Sequence, residues 1–540
     1  MCKLKKLCIG VLLALTLIFS VIGLASCDSA GSSEGLAYAL SVDGKSYSVI
    51  GMGTCESSKV TIPAKYNNLP VTSIGARAFE DCEDLAEISI KGKVTTIEKS
   101  AFLDCVNLVK VTIGNSVTKI GNGAFSGCYR LTNIVIPNSV TTIGDYAFYS
   151  CDGLTNVVIP NSVTTIGSSA FKCCENLTNV VIPASVTTIG GDVFAFCENL
   201  TNVVIPNGFT TIGERMFAYC NGLTSLANVV IPDSVTTIGS YAFYECNNLT
   251  NVVIPESITT IGDYTFAYCD SLTSVSMGNS VTTIGDSAFY SCDSLTSVAM
   301  GDSVTTIGED AFYDCDDLTN VVIPASVTKI GESAFYDCDG LTSVEIGGGV
   351  TKIGESAFSR CDRLTSVNIG DGATTIGYEA FYDCASLTNV DIGDGASKIG
   401  QWAFSDCASL TSVNMGDGVT TIGMSAFSDC DRLANVVIPD SVTTMGSHVF
   451  ARCTSLTSVI IGNSVTTIED SVFYKCISLT SVTIGSNVTT INSAFANCNS
   501  LQNIYFRGSV AKWKAVSKAS TWDFGIPATK VVCTDGEVEL

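Results

Sequence analysis

The segment Leu154–Cys174, LTNVVIPNSVTTIGSSAFKCC, decides the fold of this 540-residue chain. Its apolar residues Leu154, Val157 and Ile159 have the spacing of a β-strand in which the last two side chains face one side of the pleat. Pro160 ends the strand, since proline cannot continue a ladder of backbone hydrogen bonds. The segment therefore predicts a short strand that buries one face and then turns.

The second half of the segment brings the chain back towards the same interior. Val163 and Ile166 are expected to point inwards from the opposite wall, while the threonines between them face solvent. A short turn follows and carries Ala170, Phe171 and Cys174. One such unit cannot enclose all of its apolar side chains, so it needs a neighbour stacked on each side.

The chain repeats this unit, written Ala-Phe-x-x-Cys-x-x-Leu-x-x-Val-x-Ile, along most of its length. Of the eighteen intervals between its phenylalanines, sixteen are 23 residues long, one is 26 and the last is 22. A period this strict predicts a repeat solenoid of about 19 repeats. The phenylalanines are Phe79, Phe102, Phe125, Phe148, Phe171, Phe194, Phe217, Phe243, Phe266, Phe289, Phe312, Phe335, Phe358, Phe381, Phe404, Phe427, Phe450, Phe473 and Phe495.

The unit AFxxCxxLxxVxIPxSVTxIG resembles the BspA-like leucine-rich repeat family, also called the Treponema pallidum type, over residues 58–506. The resemblance implies a β-rich leucine-rich repeat solenoid, with a parallel sheet on the concave face and short turns or strands on the convex face. It also implies a bacterial surface protein of a kind implicated in adhesion to host matrix and to other cells. The fold itself presents only a surface, so this function rests on analogy.

The ends of the chain depart from the repeat and are expected to cap it, because a bare terminal coil would expose apolar core and an unpaired strand edge. A hairpin is predicted to turn at Asp43-Gly44. The predicted division is a lipoprotein signal peptide (1–26), a lipidated cysteine with a flexible tether (27–35), an N-terminal cap with a first irregular coil (36–75), the solenoid (76–506) and a C-terminal cap (507–540).

The N-terminus has the order of a secretory signal. Three lysines precede an apolar run from Leu7 to Ile22, and small residues follow. Leu24-Ala25-Ser26-Cys27 resembles the lipobox of bacterial lipoproteins, which implies that Cys27 is lipidated and holds the exported chain on the bacterial cell envelope, exposed at the surface. An ordinary cleaved signal and an uncleaved membrane anchor are the alternatives.

Composition excludes several classes of function. The 52 acidic against 28 basic residues give a net charge of −24, which disfavours nucleic acid as a partner. Because the chain has a single histidine, His448, most kinds of catalytic triad and zinc site are excluded. It stands in a repeat position that tyrosine occupies elsewhere, and is most simply an exposed variant of a tolerant position. Together with the absence of nucleotide-binding or protease motifs, this predicts a protein that is not an enzyme and has no cofactor or metal.

Nineteen of the 25 cysteines stand three residues after a repeat phenylalanine, from Cys82 to Cys498. In stacked coils their Cβ atoms would lie about 4.8 Å apart, farther than the roughly 3.8 Å of a disulfide. A column of buried thiols is therefore the favoured interpretation, with disulfides as the alternative. Acidic residues follow many of these cysteines. Their charge is expected to keep the protein soluble, and a column of calcium sites is the weaker alternative. These acidic residues include Asp152, Asp270, Asp293, Asp316, Asp339, Asp362 and Asp431.

The central residue of the Val-x-Ile segment is expected to face outwards on the concave sheet. Six successive repeats carry valine there, which we name the valine stripe: Val135, Val158, Val181, Val204, Val230 and Val253. An exposed apolar patch of this size indicates a partner, and the family resemblance implies that this partner is a protein or glycan on a host or neighbouring cell. Alternatively, the stripe is a trace of duplication, because all eight of the nineteen units that end in Ile-Pro have valine at this position. Two functions stay open, an adhesin and a passive surface coat or spacer, and so does the oligomeric state.

Overall fold

The structure, a computed structural model, describes residues 34–226 and 229–540. Each repeat folds as one coil that contains a strand with the Val-x-Ile segment (a V-x-I strand) and a two-residue strand at Thr-Ile or its equivalent (a T-I strand). Coils stack so that most strands pair in parallel with the equivalent strand of the next coil, usually 23 residues later, as Val157 pairs with Val180 and Ile166 with Ile189. The predicted leucine-rich repeat solenoid is confirmed.

The chain divides into two compact units. The first extends to Val235 and includes Gly239–Leu249, and the second contains Thr236–Ile238 and Thr250–Leu540. Strands of the first unit are β1 (Ala37–Leu40), β2 (Tyr47–Gly51), β3 (Lys59–Ile62), β4 (Lys65–Tyr66), β5 (Leu69–Ile74), β6 (Glu87–Ile90), β7 (Thr96–Ile97), β8 (Lys110–Thr112), β9 (Lys119–Ile120), β10 (Asn133–Val135), β11 (Thr142–Ile143), β12 (Asn156–Val158), β13 (Thr165–Ile166), β14 (Asn179–Val181), β15 (Thr188–Ile189), β16 (Asn202–Val204), β17 (Thr211–Ile212) and β18 (Val229–Val230).

The second unit continues the same alternation of V-x-I and T-I strands. Its elements are β19 (Thr237–Ile238), β20 (Asn251–Ile254), β21 (Thr260–Ile261), β22 (Ser274–Met277), β23 (Thr283–Ile284), β24 (Ser297–Ala299), β25 (Thr306–Ile307), β26 (Asn320–Ile323), β27 (Lys329–Ile330), β28 (Ser343–Ile346), β29 (Lys352–Ile353), β30 (Ser366–Ile369), β31 (Thr375–Ile376), β32 (Asn389–Ile392), β33 (Lys398–Ile399), β34 (Ser412–Met415), β35 (Thr421–Ile422), β36 (Asn435–Ile438), β37 (Thr444–Met445), β38 (Ser458–Ile461), β39 (Thr467–Ile468), β40 (Ser481–Ile484), β41 (Thr490–Ile491), β42 (Asn503–Phe506), α1 (Val510–Ala515), β43 (Ser517–Lys518), β44 (Lys530–Cys533) and β45 (Gly536–Glu539).

The core of each coil is the set of apolar side chains that the repeat predicts. In the coil that contains Phe171, the side chains of Val163, Ile166, Phe171 and Cys174 are fully buried. Phenylalanine rings of successive coils are stacked within each unit, with centroids 5.0 Å apart for Phe102 and Phe125. The repeated ring, rather than any single coil, therefore makes the core continuous.

The turn that carries the phenylalanine is the third side of each coil, and its backbone also forms a ladder between coils. The amide of Phe148 donates a 2.8 Å hydrogen bond to the carbonyl of Ala170 in the next coil. This turn needs two residues with positive φ, such as Ser169 (55°) and Cys173 (61°). Side chains other than glycine adopt this left-handed conformation at some cost, so neighbouring coils must hold it in place.

Both ends of the stack are covered. At the start, β1 and β2 form the predicted antiparallel hairpin, and β2 pairs in parallel with β5. At the other end Trp513 and Trp522 are buried, and Trp522 meets the last repeat ring, Phe495, edge-on at 6.5 Å. These end segments contain strands of their own, so the solenoid has about 21 turns rather than the 19 counted from the phenylalanines. Across residues 34–226 and 229–540, no helix has the length and hydrophobicity of a membrane crossing.

Candidate functional site

The outward side chains of the V-x-I strands form the surface that the sequence marks as a binding site. In β12, Val157 points into the core while Val158 is 79% exposed, because successive side chains of a strand alternate between its faces. Val135 and Val181 on the neighbouring coils are likewise exposed, and Val204 is 38% exposed. Four layers of the first unit thus expose valine at the same position.

The other two residues of the valine stripe lie on β18 and β20. Val230 lies on β18, and the surroundings of its side chain fall outside the described part of the chain. Val253 is exposed on β20, which belongs to the second unit. The structure therefore places four exposed stripe residues in the first unit, where the backbone of Val230 also pairs with that of Val204, and one exposed stripe residue in the second unit.

Hydrogen bonds fix the polar side chains that border the stripe in the first unit. The amide of Asn202 donates to the side-chain oxygen of Asn179 at 2.9 Å. The hydroxyl of Thr201 donates to the carbonyl of Thr178 at 3.0 Å. Because valine is itself restricted at χ1, a partner would meet side chains that have little freedom left to lose.

In the second unit the same face changes from apolar to polar. Glu345, Asn368, Asp391 and Asn414 occupy the central position on four successive strands and are exposed. The amide of Asn414 donates to a carboxylate oxygen of Asp391 at 2.7 Å. A groove of about 1370 Å³ runs over these strands.

This polar groove, which extends from Val322 to Asp440, is acidic. Besides Glu345 and Asp391, its lining includes Asp417 and Asp440 and no lysine or arginine among the described residues. A hydrogen bond from the Asn463 amide lowers the pKa of Asp440 below its usual value, so this carboxylate is charged at neutral pH. The sequence showed the loss of valine here, but it did not show that the strands enclose a groove.

The cysteine column is part of the core. Of its nineteen members, Cys82 is half-buried and the other eighteen are buried. Burial, reinforced by the neighbouring thiols, raises the pKa of Cys315 well above its usual value. A buried thiol that stays protonated is a poor nucleophile and a poor metal ligand, so the column offers no reactive site.

The other residues that the sequence singles out are His448, the acidic residues beside the cysteines and Cys27. His448 is exposed in a left-handed turn position, with φ of 60°. Burial and the neighbouring carboxylates raise the pKa of Asp316 and of Asp339. Within the described ranges, no cluster of three or more His, Cys, Asp and Glu side chains has the arrangement of a metal site. Cys27, the predicted lipidation site, lies outside the described residues.

Comparison with protein families identifies the repeat. The pattern described as "BspA type Leucine rich repeat region" matches this chain in overlapping stretches that together run from residue 52 to residue 517. The matched stretches are residues 52–144, 118–227, 221–342, 329–453 and 420–517. No curated protein matches the chain.

Solved structures of bacterial leucine-rich repeat proteins resemble the chain. A leucine-rich repeat protein from Bacteroides ovatus is 26% identical over 85% of this chain and 94% of its own, with a TM-score of 0.39. A leucine-rich cell surface protein from Faecalibacterium prausnitzii is 25% identical over 91% of this chain and 98% of its own, with a TM-score of 0.31. The T. pallidum leucine-rich repeat protein is 24% identical over 44% of this chain and 88% of its own, with a TM-score of 0.29.

Proposed function

Because the chain belongs to the BspA-type leucine-rich repeat family, we propose that it is a non-catalytic surface protein that binds a protein or glycan partner through the outward face of its V-x-I strands. Repeat proteins of this family typically lack catalysis. The observation that carries the proposal is the row of exposed valines Val135, Val158, Val181 and Val204, of which the last three stand on one hydrogen-bonded parallel sheet. The proposed partner is a ligand on a host cell, in host matrix or on a neighbouring cell.

The energetics of such a surface favour a partner that covers several coils. Burying each valine contributes roughly 1.5 kcal/mol or more before the cost of association is subtracted. Val158 and Val181 stand on adjacent strands in register, so a partner that reaches one is already placed near the next. Several weak and chemically identical contacts then add up to a useful affinity.

The proposal includes export and a lipid anchor at Cys27. Its support is the order of lysines, apolar run and lipobox-like residues at the N-terminus. One acyl-modified cysteine followed by the small polar residues 28–35 would leave the repeats outside the membrane on a short tether. Replacing Cys27 with Ala should release or mislocalise the chain, and continued membrane retention with an unlipidated N-terminus would contradict the anchor.

The binding face can be tested on cells that display the full chain. The triple variant Val158→Lys, Val181→Lys and Val204→Lys places three charges on the stripe without touching the core. We expect it to abolish saturable adhesion to host matrix proteins or neighbouring cells. The matched control is Thr164→Lys, Thr187→Lys and Thr210→Lys, which adds the same charge to the T-I wall, where all three threonines are exposed.

The alternative function is a passive coat or spacer without a specific ligand. It is favoured because every one of the nineteen repeats that ends in Ile-Pro has valine at the central position of its strand. Duplication of whole blocks of repeats explains this pattern without selection for binding. If neither triple variant changes adhesion, or the displaying cells show no saturable adhesion, the coat interpretation gains. Loss of adhesion in the threonine variant alone would move the binding face to the other wall.

A further inference from the structure

A row of tyrosines lies on the turn side of the second unit. The residue after the repeat phenylalanine is tyrosine in several successive coils, and the half-buried rings of Tyr290, Tyr313 and Tyr336 stack with centroids 4.8 and 4.9 Å apart. We name this repeat position the ring position. Its side chains cover the outside of the turn, much as the phenylalanines fill the inside.

The ring position loses its rings in three consecutive coils. Between Tyr382 and Tyr474 it is occupied by Ser405, Ser428 and Ala451, all of them buried. A single loss nearby has a different outcome. At Ser359 one ring is missing, but Arg360 places its guanidinium 5.7 Å from the centroid of the Tyr336 ring, beside the gap. Three adjacent losses leave a space that no neighbouring side chain fills.

That space is a pocket of about 490 Å³, which we name the serine pocket. Its floor includes Ser405 and Ser428, whose hydroxyls lie 2.8 Å apart. Its volume is within the range of pockets that take a small molecule. The side chains that give its walls their chemistry are Tyr378, Tyr382, Trp402, Asp406, Asp429 and Arg452.

The walls combine aromatic rings with fixed hydrogen-bonding groups. Trp402 packs edge-on against Tyr378 with centroids 5.3 Å apart. On the polar side, Arg452 pairs with Asp429 at 3.4 Å, and the Ser405 hydroxyl donates to Asp406 at 2.9 Å. Most of these groups belong to different coils, so the stack of coils, rather than one loop, holds the arrangement.

We propose that the serine pocket binds a neutral saccharide, either a free sugar or a terminal unit of a glycan. The hydroxyl groups of a sugar both donate and accept, which suits carboxylates, serine hydroxyls and a guanidinium side by side. Its ring hydrogens form an apolar face that packs on an aromatic ring such as Trp402. The proposal concerns the turn side of the coils and is independent of the function proposed for the V-x-I strands.

The charges of the pocket select against other ligands of this size. Glu379, Asp406 and Asp429 outnumber the two basic side chains of the lining, Arg452 and His448, so an anionic sugar or a phosphate would meet a net negative wall. A quaternary ammonium would meet aromatic rings but also Arg452. Burial raises the pKa of Asp406, with hydrogen bonds from Ser405 and Tyr382 acting in the opposite direction, so this carboxyl already lies in a poorly hydrated position. An uncharged polar ligand meets no net repulsion there.

The repeat supplies a pair of variants at one repeat position. Ser428→Tyr restores at the pocket floor the residue that the same position holds in other coils, so the turn can accommodate it, and the ring would fill the pocket. Ser359→Tyr makes the same change at the same repeat position, outside the pocket. Both serines are buried at present, with 7% and 1% exposure.

The measurement is saturation-transfer NMR on the full-length chain, purified in a polyoxyethylene detergent without sugar headgroups. The probes are glucose, galactose, mannose, N-acetylglucosamine and their common disaccharides, with sialic acid and choline as charged probes. We expect at least one neutral saccharide to bind the parent chain and Ser359→Tyr alike, and Ser428→Tyr to reduce that signal about tenfold or more by filling the site.

Three results would overturn the proposal. The first is that no neutral saccharide gives a signal with the parent chain. The second is that Ser428→Tyr retains the signal while circular dichroism shows both variants folded. The third is that sialic acid or choline binds in the pocket in preference to every neutral sugar. Trp402 fluorescence gives a second readout, because the other two tryptophans, Trp513 and Trp522, are buried in the C-terminal cap.

Discussion

The sulfur of Cys315 lies 3.2 Å from the carbonyl oxygen of Phe289, which belongs to the preceding coil. The same relationship joins Cys338 to Phe312 and Cys361 to Phe335, each across 26 residues. The thiol therefore satisfies a carbonyl in the core while it fills a small apolar space. This explains why the repeat holds cysteine there rather than alanine or serine, since alanine has no donor and a hydroxyl is costlier to bury.

Accordingly, we expect the cysteine column to be reduced and unreactive in the folded protein. Iodoacetamide at pH 8 should label few of the nineteen thiols of the native chain, because burial keeps them protonated; even half-buried Cys82 has its pKa raised to about 11. Alkylation in denaturant without a reductant, followed by mass spectrometry, should label most of them. Predominant protection in denaturant would mean disulfides and would contradict the column of thiols.

Removing one ring from the phenylalanine stack should destabilise the chain strongly but locally. Phe335 is fully buried between Phe312 and Phe358, at 5.1 Å from each. We expect Phe335→Ala to cost about 3–5 kcal/mol, and hydrogen exchange to rise mainly in the adjoining coils, because each coil contacts only its neighbours. Tyr336→Ala, at the half-exposed ring position, should cost about 1 kcal/mol. Equal effects of the two changes, or uniform exchange along the chain, would refute this account.

Much of this architecture follows from the sequence because the same pattern of apolar and turn residues recurs nineteen times. The alternation around Val157, Val158 and Ile159 gave both the strand and its buried face, and the structure confirms them. Pro160 correctly marked the end of the strand. The hairpin at Asp43-Gly44 followed from turn chemistry alone.

The features that the sequence did not predict depend on how the coils stack in space. The serine pocket exists because Ser405, Ser428 and Ala451 become neighbours only when the coils stack. The signal was present as three losses of tyrosine, each 23 residues from the next, but single residues at that distance look like ordinary surface variation. The groove over Glu345 and Asp391 depends in the same way on how the strands are arranged in space. The binding role of the valine stripe and the anchor at Cys27 stay predictions.

A raised carboxyl pKa should make the fold more stable at mildly acidic pH. Burial, with a contribution from Glu175, raises the pKa of Asp152 from 3.8 to about 6. Between these two values the folded state binds more protons than the unfolded state, so the free energy of unfolding rises as the pH falls through 6 and levels off below 4. At pH 7 the charged carboxylate opposes folding.

Asp152→Asn should therefore stabilise the chain at pH 7 by roughly 1 kcal/mol after allowance for solvent screening, and have little effect at pH 4. Urea midpoints at the two pH values measure this. Asp43→Asn is the control of opposite sign, because hydrogen bonds from Ser41 and Lys45 lower the pKa of that exposed carboxyl. A loss of stability in Asp152→Asn at pH 7 would show that the carboxylate has a favourable partner in the fold.

The left-handed turn positions predict opposite effects on stability for two substitutions, one that introduces glycine and one that removes it. Ser356 has a φ of 49°, and Gly123 occupies the same repeat position with a φ of 61°. Ser356→Gly should stabilise the chain by roughly 0.5–1 kcal/mol, because it removes the strain of a Cβ in this conformation and that gain outweighs the greater freedom of glycine in the unfolded chain. Gly123→Ala should destabilise by about 1 kcal/mol through strain alone, since its added Cβ would come no closer than 3.5 Å to the Ser100 hydroxyl. Opposite shifts of the urea midpoint are the expected result. Destabilisation by both changes would mean that the Ser356 side chain contributes a contact that offsets its backbone strain.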